Sequence, residues 1–255
     1  MRQQVVTGWY ENAGTAAYCR KMTFMFFNKK TLIRHGVFDG FTDHHTHILP
    51  DVDDGVKTMS DALTILDDYE EMGVKEIFLT PHIQEYMPNT TKDLQDVYSK
   101  LTIEYKGTLK LHLAAEYMLD NLFAERFAAR DLLFLFPEER MLLVETSYFN
   151  PPIALYDTLQ SLIDEGITPV LAHPERYMYM NMADYRKLKA MKVLFQLNVP
   201  ALIDMYGKQV RQKANDLLDD GMYDFCGTDI HSRSLVHALH GQKIKKKPLL
   251  PGMEK

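Results

Sequence analysis

Phe41-Thr42-Asp43-His44-His45-Thr46-His47 is a short extended pattern that ends in two histidines one residue apart and leads into a helical pattern. That order recurs along the chain. Apolar runs over 75–80, 109–116, 141–146, 168–172, 193–198 and 223–228 follow it, making seven in all. Short apolar runs alternating with longer helical periodicities are the pattern of βα units feeding a parallel sheet. Ser60 predicts the N-cap of a helix carrying Ala62, Leu63, Ile65, Leu66 and Tyr69, closed by Gly73. Further helices are expected over 91–105, 119–130, 153–165, 183–191, 208–220 and after Ser232. Seven units suit an α/β barrel close to the eight-stranded type, with an open doubly wound sheet as the alternative. Either architecture places functional side chains at or just after the C-terminal strand ends.

Composition narrows the function. With 255 residues, 46% of them hydrophobic, the chain can bury one substantial core, and a single domain is expected. Its 29 basic and 35 acidic residues give a net charge of -6, which does not favour nucleic acid as a partner. Cys19 and Cys226 form neither a disulfide framework nor a metal-type pair, so a cytoplasmic location is expected. No apolar run approaches the roughly 20 residues that span a bilayer. Residues 1–40 lack periodicity and read as an N-terminal extension, partly disordered or from a mis-assigned start, with Met22 or Met25 as other starts. Removing residues 1–24 is expected to leave activity intact. The functional domain then covers 41–242, and 243–255 reads as a solvated basic tail. Nothing in the sequence sets an oligomeric state.

Metal-type side chains fall at the strand ends. His45 and His47 end the first run, His82 follows the second, Glu116 ends the third, Glu145 ends the fourth and His173 follows the fifth. Asp229 and His231 follow the seventh, and the sixth supplies none. Side chains repeat every two residues along a strand, so His45 and His47 share a face while His44 points away. Asp43 is read as a strand or supporting residue. Taken singly these residues have ordinary explanations: Asp54 sits in a turn-rich loop, and His82 and His173 could each bond a backbone group. Glu116 and Glu145 are harder to explain so, because an unpaired carboxylate in an apolar strand is costly and a cation would satisfy it. Imidazoles and carboxylates without cysteine suit zinc, manganese or iron. Nine candidates exceed the capacity of one ion. Two or three divalent ions are expected, which would acidify water and clamp the oxygens of a phosphoryl group.

The motifs Asp43 to Thr58, Leu79-Thr80-Pro81-His82, Ala115-Glu116, Val144-Glu145, Leu171 to Tyr177 and Gly227 to His231 resemble the PHP (polymerase and histidinol phosphatase) superfamily. Within it they resemble the metal-dependent protein-tyrosine phosphatases of bacterial capsule and exopolysaccharide operons. The resemblance implies a distorted, TIM-like (βα)7 barrel of the PHP type. It implies one metal on His45, His47, Glu116 and Asp229, a second on Glu116, Glu145 and His173, and a third on Asp54, His82 and His231, with manganese first and iron or zinc as alternatives. Catalytic roles are implied for Arg176, Glu116 and His231, with Arg176 matching a family arginine that binds the substrate phosphate. Related enzymes carry a second arginine several residues after the last D-x-H motif; here Arg233 is expected to stand in from a shifted position. The implied reaction is hydrolysis of phosphotyrosine by a metal-activated hydroxide, and the implied partner a phosphotyrosine protein, a bacterial tyrosine kinase of capsular or exopolysaccharide biosynthesis. A cysteine-dependent route is closed, because Cys226 and Arg233 lie one residue too far apart for a Cys-x5-Arg loop. Alternatives are a small-molecule phosphatase such as a histidinol-phosphate hydrolase, a nuclease or proofreading domain, and a non-catalytic metal-binding scaffold.

Overall fold

Helices form where a capping side chain meets apolar periodicity, and the computed structural model describes them within residues 30–31, 33–244 and 250–251. Residues 1–24, expected to be dispensable, lie outside the described residues. In α1 (Met59–Met72) the cap is Thr58, whose hydroxyl accepts from the Asp61 amide at 3.1 Å, and Gly73 closes the helix at φ 91°. Ser60, the expected cap, lies inside the first turn, because Thr58 already supplies the side-chain acceptor one step before the helix. Thr90 and Asp93 form a reciprocal capping box on α2 (Thr91–Glu104), and Asp120 caps α3 (Asn121–Ala129). After α4 (Leu155–Asp164), Asn181 and Asp184 box the start of α5 (Met182–Ala190). The last two helices are α6 (Lys208–Asp219) and α7 (Arg233–Gly241).

Every one of the seven expected runs carries strand. They are β2 (Thr42–Thr46), β3 (Glu76–Leu79) with β4 (His82–Ile83), β5 (Lys110–Leu113) with β6 (Glu116–Met118), β7 (Met141–Glu145), β8 (Thr168–Ala172), β9 (Leu194–Asn198) and β10 (Phe225–Gly227). The second run ends at Thr80 and strand resumes beyond Pro81 as β4, while the third is interrupted at Ala114-Ala115. Proline cannot donate to a ladder, so a break at Pro81 is expected chemistry. The interruptions lie side by side, with Ala114 N bonding Leu79 O at 2.9 Å and Glu116 N bonding Pro81 O at 3.1 Å. The parallel ladders therefore divide into β2-β3-β5 and β10-β9-β8-β7-β6-β4. The whole sheet curls. At its far side Thr46 forms a parallel bridge with Ile230, supported by Asp229 N to His45 O at 2.8 Å and His47 N to Ile230 O at 2.9 Å.

Both faces of the curled sheet are buried. Leu142, Val144, Leu171, Phe195 and Leu197 pack outward on helix residues such as Leu66, Leu159, Leu188 and Leu217. Phe78, Ala114, Leu143, Val170 and Ala172 pack in a separate inner cluster. This two-sided burial explains why the strands read as nearly continuous apolar runs. His44 joins the inner side, its Nδ1 3.0 Å from Cys226 O and its ring 5.3 Å from Phe78. The terminal segments also pack on this unit. Val37 and Phe38 are buried, β1 (Lys30–Thr31) pairs antiparallel with β11 (Lys243–Ile244), and Leu250 is buried too. Neither the described part of the N-terminal extension nor that of the basic tail stands apart from the fold; their anchoring residues are too few to form a readable period.

Asp43 holds the sheet across the β2–β10 junction. Its Oδ1 accepts from Thr228 N at 2.9 Å and His45 N at 3.2 Å, and its Oδ2 from Thr228 Oγ1 at 2.6 Å and Tyr69 OH at 3.0 Å. Burial nevertheless pushes the carboxyl up to about 6. Between pH 4 and this value the folded form keeps a proton that the unfolded form has lost, so this group's contribution falls as pH rises through that window. We predict that D43N, which cannot titrate, gains on the wild type by about 1.4 kcal/mol per pH unit across that window. Urea unfolding of the two metal-free proteins at several pH values measures the difference; a constant gap refutes it.

Candidate metal centre

Two imidazoles define the centre. His45 and His47 leave the same face of β2, and their rear nitrogens are held: His45 Nδ1 by Gln196 Oε1 at 2.9 Å and His47 Nδ1 by Asp53 Oδ2 at 2.7 Å. The Gln196 amide nitrogen donates to Leu197 O, which turns its oxygen toward His45. Both partners accept, so each ring carries its proton on Nδ1 and turns an Nε2 lone pair inward. The two Nε2 atoms lie 3.0 Å apart. Two lone pairs at that distance require a cation between or beside them, either a proton or a metal ion.

The carboxylates complete the arrangement. Glu116 Oε2 lies 3.1 Å from His45 Nε2 and 3.4 Å from His47 Nε2, and Asp229 Oδ1 lies 3.6 and 3.3 Å from the same atoms. A second focus joins His82 Nδ1 to Glu116 Oε2 at 3.1 Å and to Glu145 Oε1 at 3.0 Å. All three atoms are buried without a hydrogen-bond partner. Orphaned polar atoms facing each other in the interior are what a cation would satisfy. His173 Nε2 sits 2.9 Å from Glu116 Oε1, the other oxygen of the same carboxylate. A third focus, nearer solvent, sets Asp54 Oδ1 3.6 Å from His82 Nε2 and 3.5 Å from His231 Nε2, with His47 alongside. The donor set fits divalent ions at each focus.

Electrostatics agree with the geometry. Burial opposes charge on His45 and His47, yet Glu116 and Asp229 for the first, and Asp53 with Asp229 and Glu116 for the second, raise both above the ordinary imidazole value. Burial and His47 also oppose charge on His82, but Glu116 and Glu145 push it up to about 10. Against its own burial, Asp229 is held far below the carboxylate range by the surrounding imidazoles, and Glu116 likewise. Asp54 is lowered to about 2, chiefly by His231. Without metal, His45, His47 and His82 hold protons that an ion must displace.

Close backbone approach makes the focus possible. A Cβ on Gly227 would lie 2.5 Å from the His45 Cβ and 2.7 Å from Gln196 Nε2, and one on Gly55 would strike the His47 carbonyl. His173 and Asp229 carry φ of 34° and 54°, left-handed values that cost a non-glycine residue about 1 kcal/mol or more. That turn of the backbone aims both side chains back over the strand ends.

All nine expected ligands come together here, but several partners were not anticipated. Asp53 rather than Asp54 is the buried aspartate: it holds His47, accepts from His82 N at 3.0 Å, and is joined by Gly55 N at 2.9 Å. The sixth strand, without a ligand, supplies Gln196 behind His45 and Asn198, whose Nδ2 reaches Asp229 Oδ2 at 2.9 Å. Their signal was present, since two polar residues spaced by two in an apolar strand repeat the spacing of His45 and His47. Arg176 reaches Asp229 Oδ2 from NH1 at 2.7 Å and is flanked by Tyr148 and Tyr206. Arg233 opens α7. Its guanidinium is engaged on Asp68 of α1 at 3.0 Å, because as the first residue of α7 it faces the neighbouring helix.

We predict that ion uptake by the metal-free protein releases protons and strengthens as pH rises. Calorimetry with manganese in buffers of different ionisation enthalpy measures the release; uptake without proton loss refutes it. G227A should lose metal through the displaced His45.

The family model for capsular polysaccharide synthesis, CpsB/CapC, matches residues 41–237. A putative tyrosine-protein phosphatase, CapC of Staphylococcus aureus, is 27% identical over 199 residues, covering 74% of this chain and 76% of its own. The tyrosine-protein phosphatase CpsB of Streptococcus pneumoniae is 28% identical over 205 residues, covering 74% and 82%. Among solved structures, a chain from the work on YwqE of Bacillus subtilis and CpsB of Streptococcus pneumoniae, described as unique metal-dependent tyrosine phosphatases, superposes with a TM-score of 0.70. It shares 23% identity over 77% of this chain and 81% of that one, a likeness of fold: a curled parallel sheet in an α/β protein. By the extent of the match over its sheet and ligand motifs, the chain belongs to the CpsB/CapC family of capsular polysaccharide synthesis.

Proposed function

We propose that this chain is a metal-dependent protein-tyrosine phosphatase. The observation that carries the reading is the meeting of inward lone pairs and orphaned carboxylate oxygens at one point, beside a guanidinium walled by aromatic rings. The first feature suits cations and the second an aryl phosphate. Relatives named as tyrosine-protein phosphatases support the substrate class. The substrate is then a phosphotyrosine protein, in this reading a cytoplasmic bacterial tyrosine kinase of capsule or exopolysaccharide synthesis. Residues 41–242 would form the catalytic domain as a distorted (βα)7 barrel.

Two or three divalent ions, manganese first, would be held by His45, His47, Glu116 and Asp229, by Glu116, Glu145 and His173, and by Asp54, His82 and His231. His82 lies between the second and third of these groups, with Nδ1 3.0 Å from Glu145 Oε1 and Nε2 3.6 Å from Asp54 Oδ1. When bound, the ions supply Lewis acidity, which lowers the pKa of water and stabilises charge on phosphoryl oxygens. Glu116 links the foci, its Oε2 facing His45, His47 and His82 and its Oε1 facing His173. Gln196 and Asp53 keep His45 and His47 in the tautomer with Nε2 free. His231 rests Nδ1 on Asp229 O at 2.9 Å, leaving Nε2 toward Asp54 and the mouth. Arg176, one-fifth exposed, binds the phosphate while Asp229 anchors it. Cys226 takes no part: it is buried, and burial pushes its thiol up, away from the reactive thiolate.

Hydrolysis of p-nitrophenyl phosphate and a phosphotyrosine peptide should be abolished by a chelator, restored by manganese and indifferent to iodoacetamide. Loss on alkylation with no effect of chelation refutes the proposal. E116Q should lose metal and turnover together. R176A should keep its metal while kcat/KM falls on the order of a hundredfold, as expected for losing one member of a shielded charge pair.

A further inference from the structure

Arg176 is held by more than its ion pair. The centre of its guanidinium lies 4.2 Å from the Tyr148 ring centroid and 4.5 Å from that of Tyr206. Tyr148 comes from the segment after β7, beyond the ligand Glu145, and Tyr206 from the segment between β9 and α6. Two mouth segments thus meet across one cation. Both rings lie within cation–π reach of this one guanidinium, whose five N–H groups lie in its plane and make its hydrogen bonds at its edge. Part of that edge, NH1, is on Asp229 Oδ2 at 2.7 Å. The Tyr206 hydroxyl accepts from Asn198 Nδ2 at 3.2 Å, and the same amide reaches Asp229 Oδ2. Tyr148 is itself set by His173 and Tyr177, at 5.6 and 6.1 Å between ring centroids.

We propose that Tyr148 and Tyr206 are positioning residues that clamp the Arg176 guanidinium so that its free edge meets the phosphate of an aryl phosphate substrate. The inference rests on the phosphatase reading above. An arginine chain free to rotate would lose orientational freedom on meeting the phosphate; the clamp removes that freedom beforehand. Tyr148 and Tyr206 therefore act on substrate capture through Arg176, and the ions are held without them.

Steady-state kinetics on p-nitrophenyl phosphate, with metal content, should be measured for Y148L, Y206L and Y206F, and for both leucine variants combined with R176A. Each leucine variant should raise KM about tenfold, the size of a shielded cation–π contact, with a smaller change in kcat and full metal content. Y206F keeps the ring and loses only the hydroxyl bond, so it should recover most of the KM loss seen in Y206L. Combined with R176A, neither leucine substitution should add a further loss. The clamp is refuted if Y206F is as impaired as Y206L, if the losses add in the R176A background, or if the leucine variants lose metal. Should one leucine variant not fold, the other carries the same comparison. If the wild type hydrolyses no aryl phosphate, the phosphatase reading fails by itself. Calorimetry with inorganic phosphate on the metal-loaded proteins then still decides the clamp, weaker binding by Y206L and Y148L supporting it and equal binding refuting it.

Discussion

The junction between β2 and the segment that follows β10 is the constraint on which the rest depends. His45 O to Asp229 N and His47 N to Ile230 O join segments nearly two hundred residues apart, and each bond involves a ligand or its neighbour. If β2 slipped by one residue against this partner, His45 and His47 would turn to the apolar side and His44 would face the carboxylates. Register is therefore fixed twice, by the apolar cluster around Phe78 that receives His44 and by Asp43 gripping Thr228. Four donors on one buried carboxylate form a strong lock at the place where the sheet is thinnest, a single bridge between two strands.

From that junction the centre follows as a problem in charge. Five imidazoles and four carboxylates gather in a largely buried pocket, and His82 Nδ1, Glu116 Oε2 and Glu145 Oε1 face one another there without a hydrogen-bond partner. The residues behind them accept from the rear of the rings, which commits the front lone pairs to the pocket. The supporting layer thereby makes the site demand cations and also fixes where they sit. The same logic reaches Arg176, whose positive charge beside Asp229 leaves one oxygen of that carboxylate for the cluster and takes the other.

Much of this was legible in the sequence, and the exceptions have definite causes. Strand existence was readable because burial on both faces leaves unbroken apolar runs. The break at Ala114-Ala115 was not, because both residues are as apolar as the strands they divide, whereas Pro81 marks the end of the second run. The D-x-H and H-x-H spacings located ligands, since period two is a local property. Choosing between Asp53 and Asp54 was different: adjacent residues in one turn differ only in direction, and Asp53 goes inward to His47 while Asp54 remains half exposed. The Asp68 partner of Arg233 was not legible for a related reason, as a helix start next to a ligand motif reveals nothing about which side of the helix it will occupy.

The paired strand breaks, of which the sequence marks only that at Pro81, shape the centre most directly. Because both occur at the same level, β4 and β6 resume in register, with His82 opposite Glu116 and Met118 opposite Glu145. An unbroken ladder would continue β3 and β5 along the path of β2 and carry His82 and Glu116 with them. Resuming as a new ladder moves Glu116 into the sheet that ends in Glu145, close enough for the two carboxylates to share His82. It also leaves Glu116 beside the imidazoles of β2, on the other ladder. A carboxylate at the seam between two ladders can serve both. That position, rather than its residue type alone, makes Glu116 the bridge.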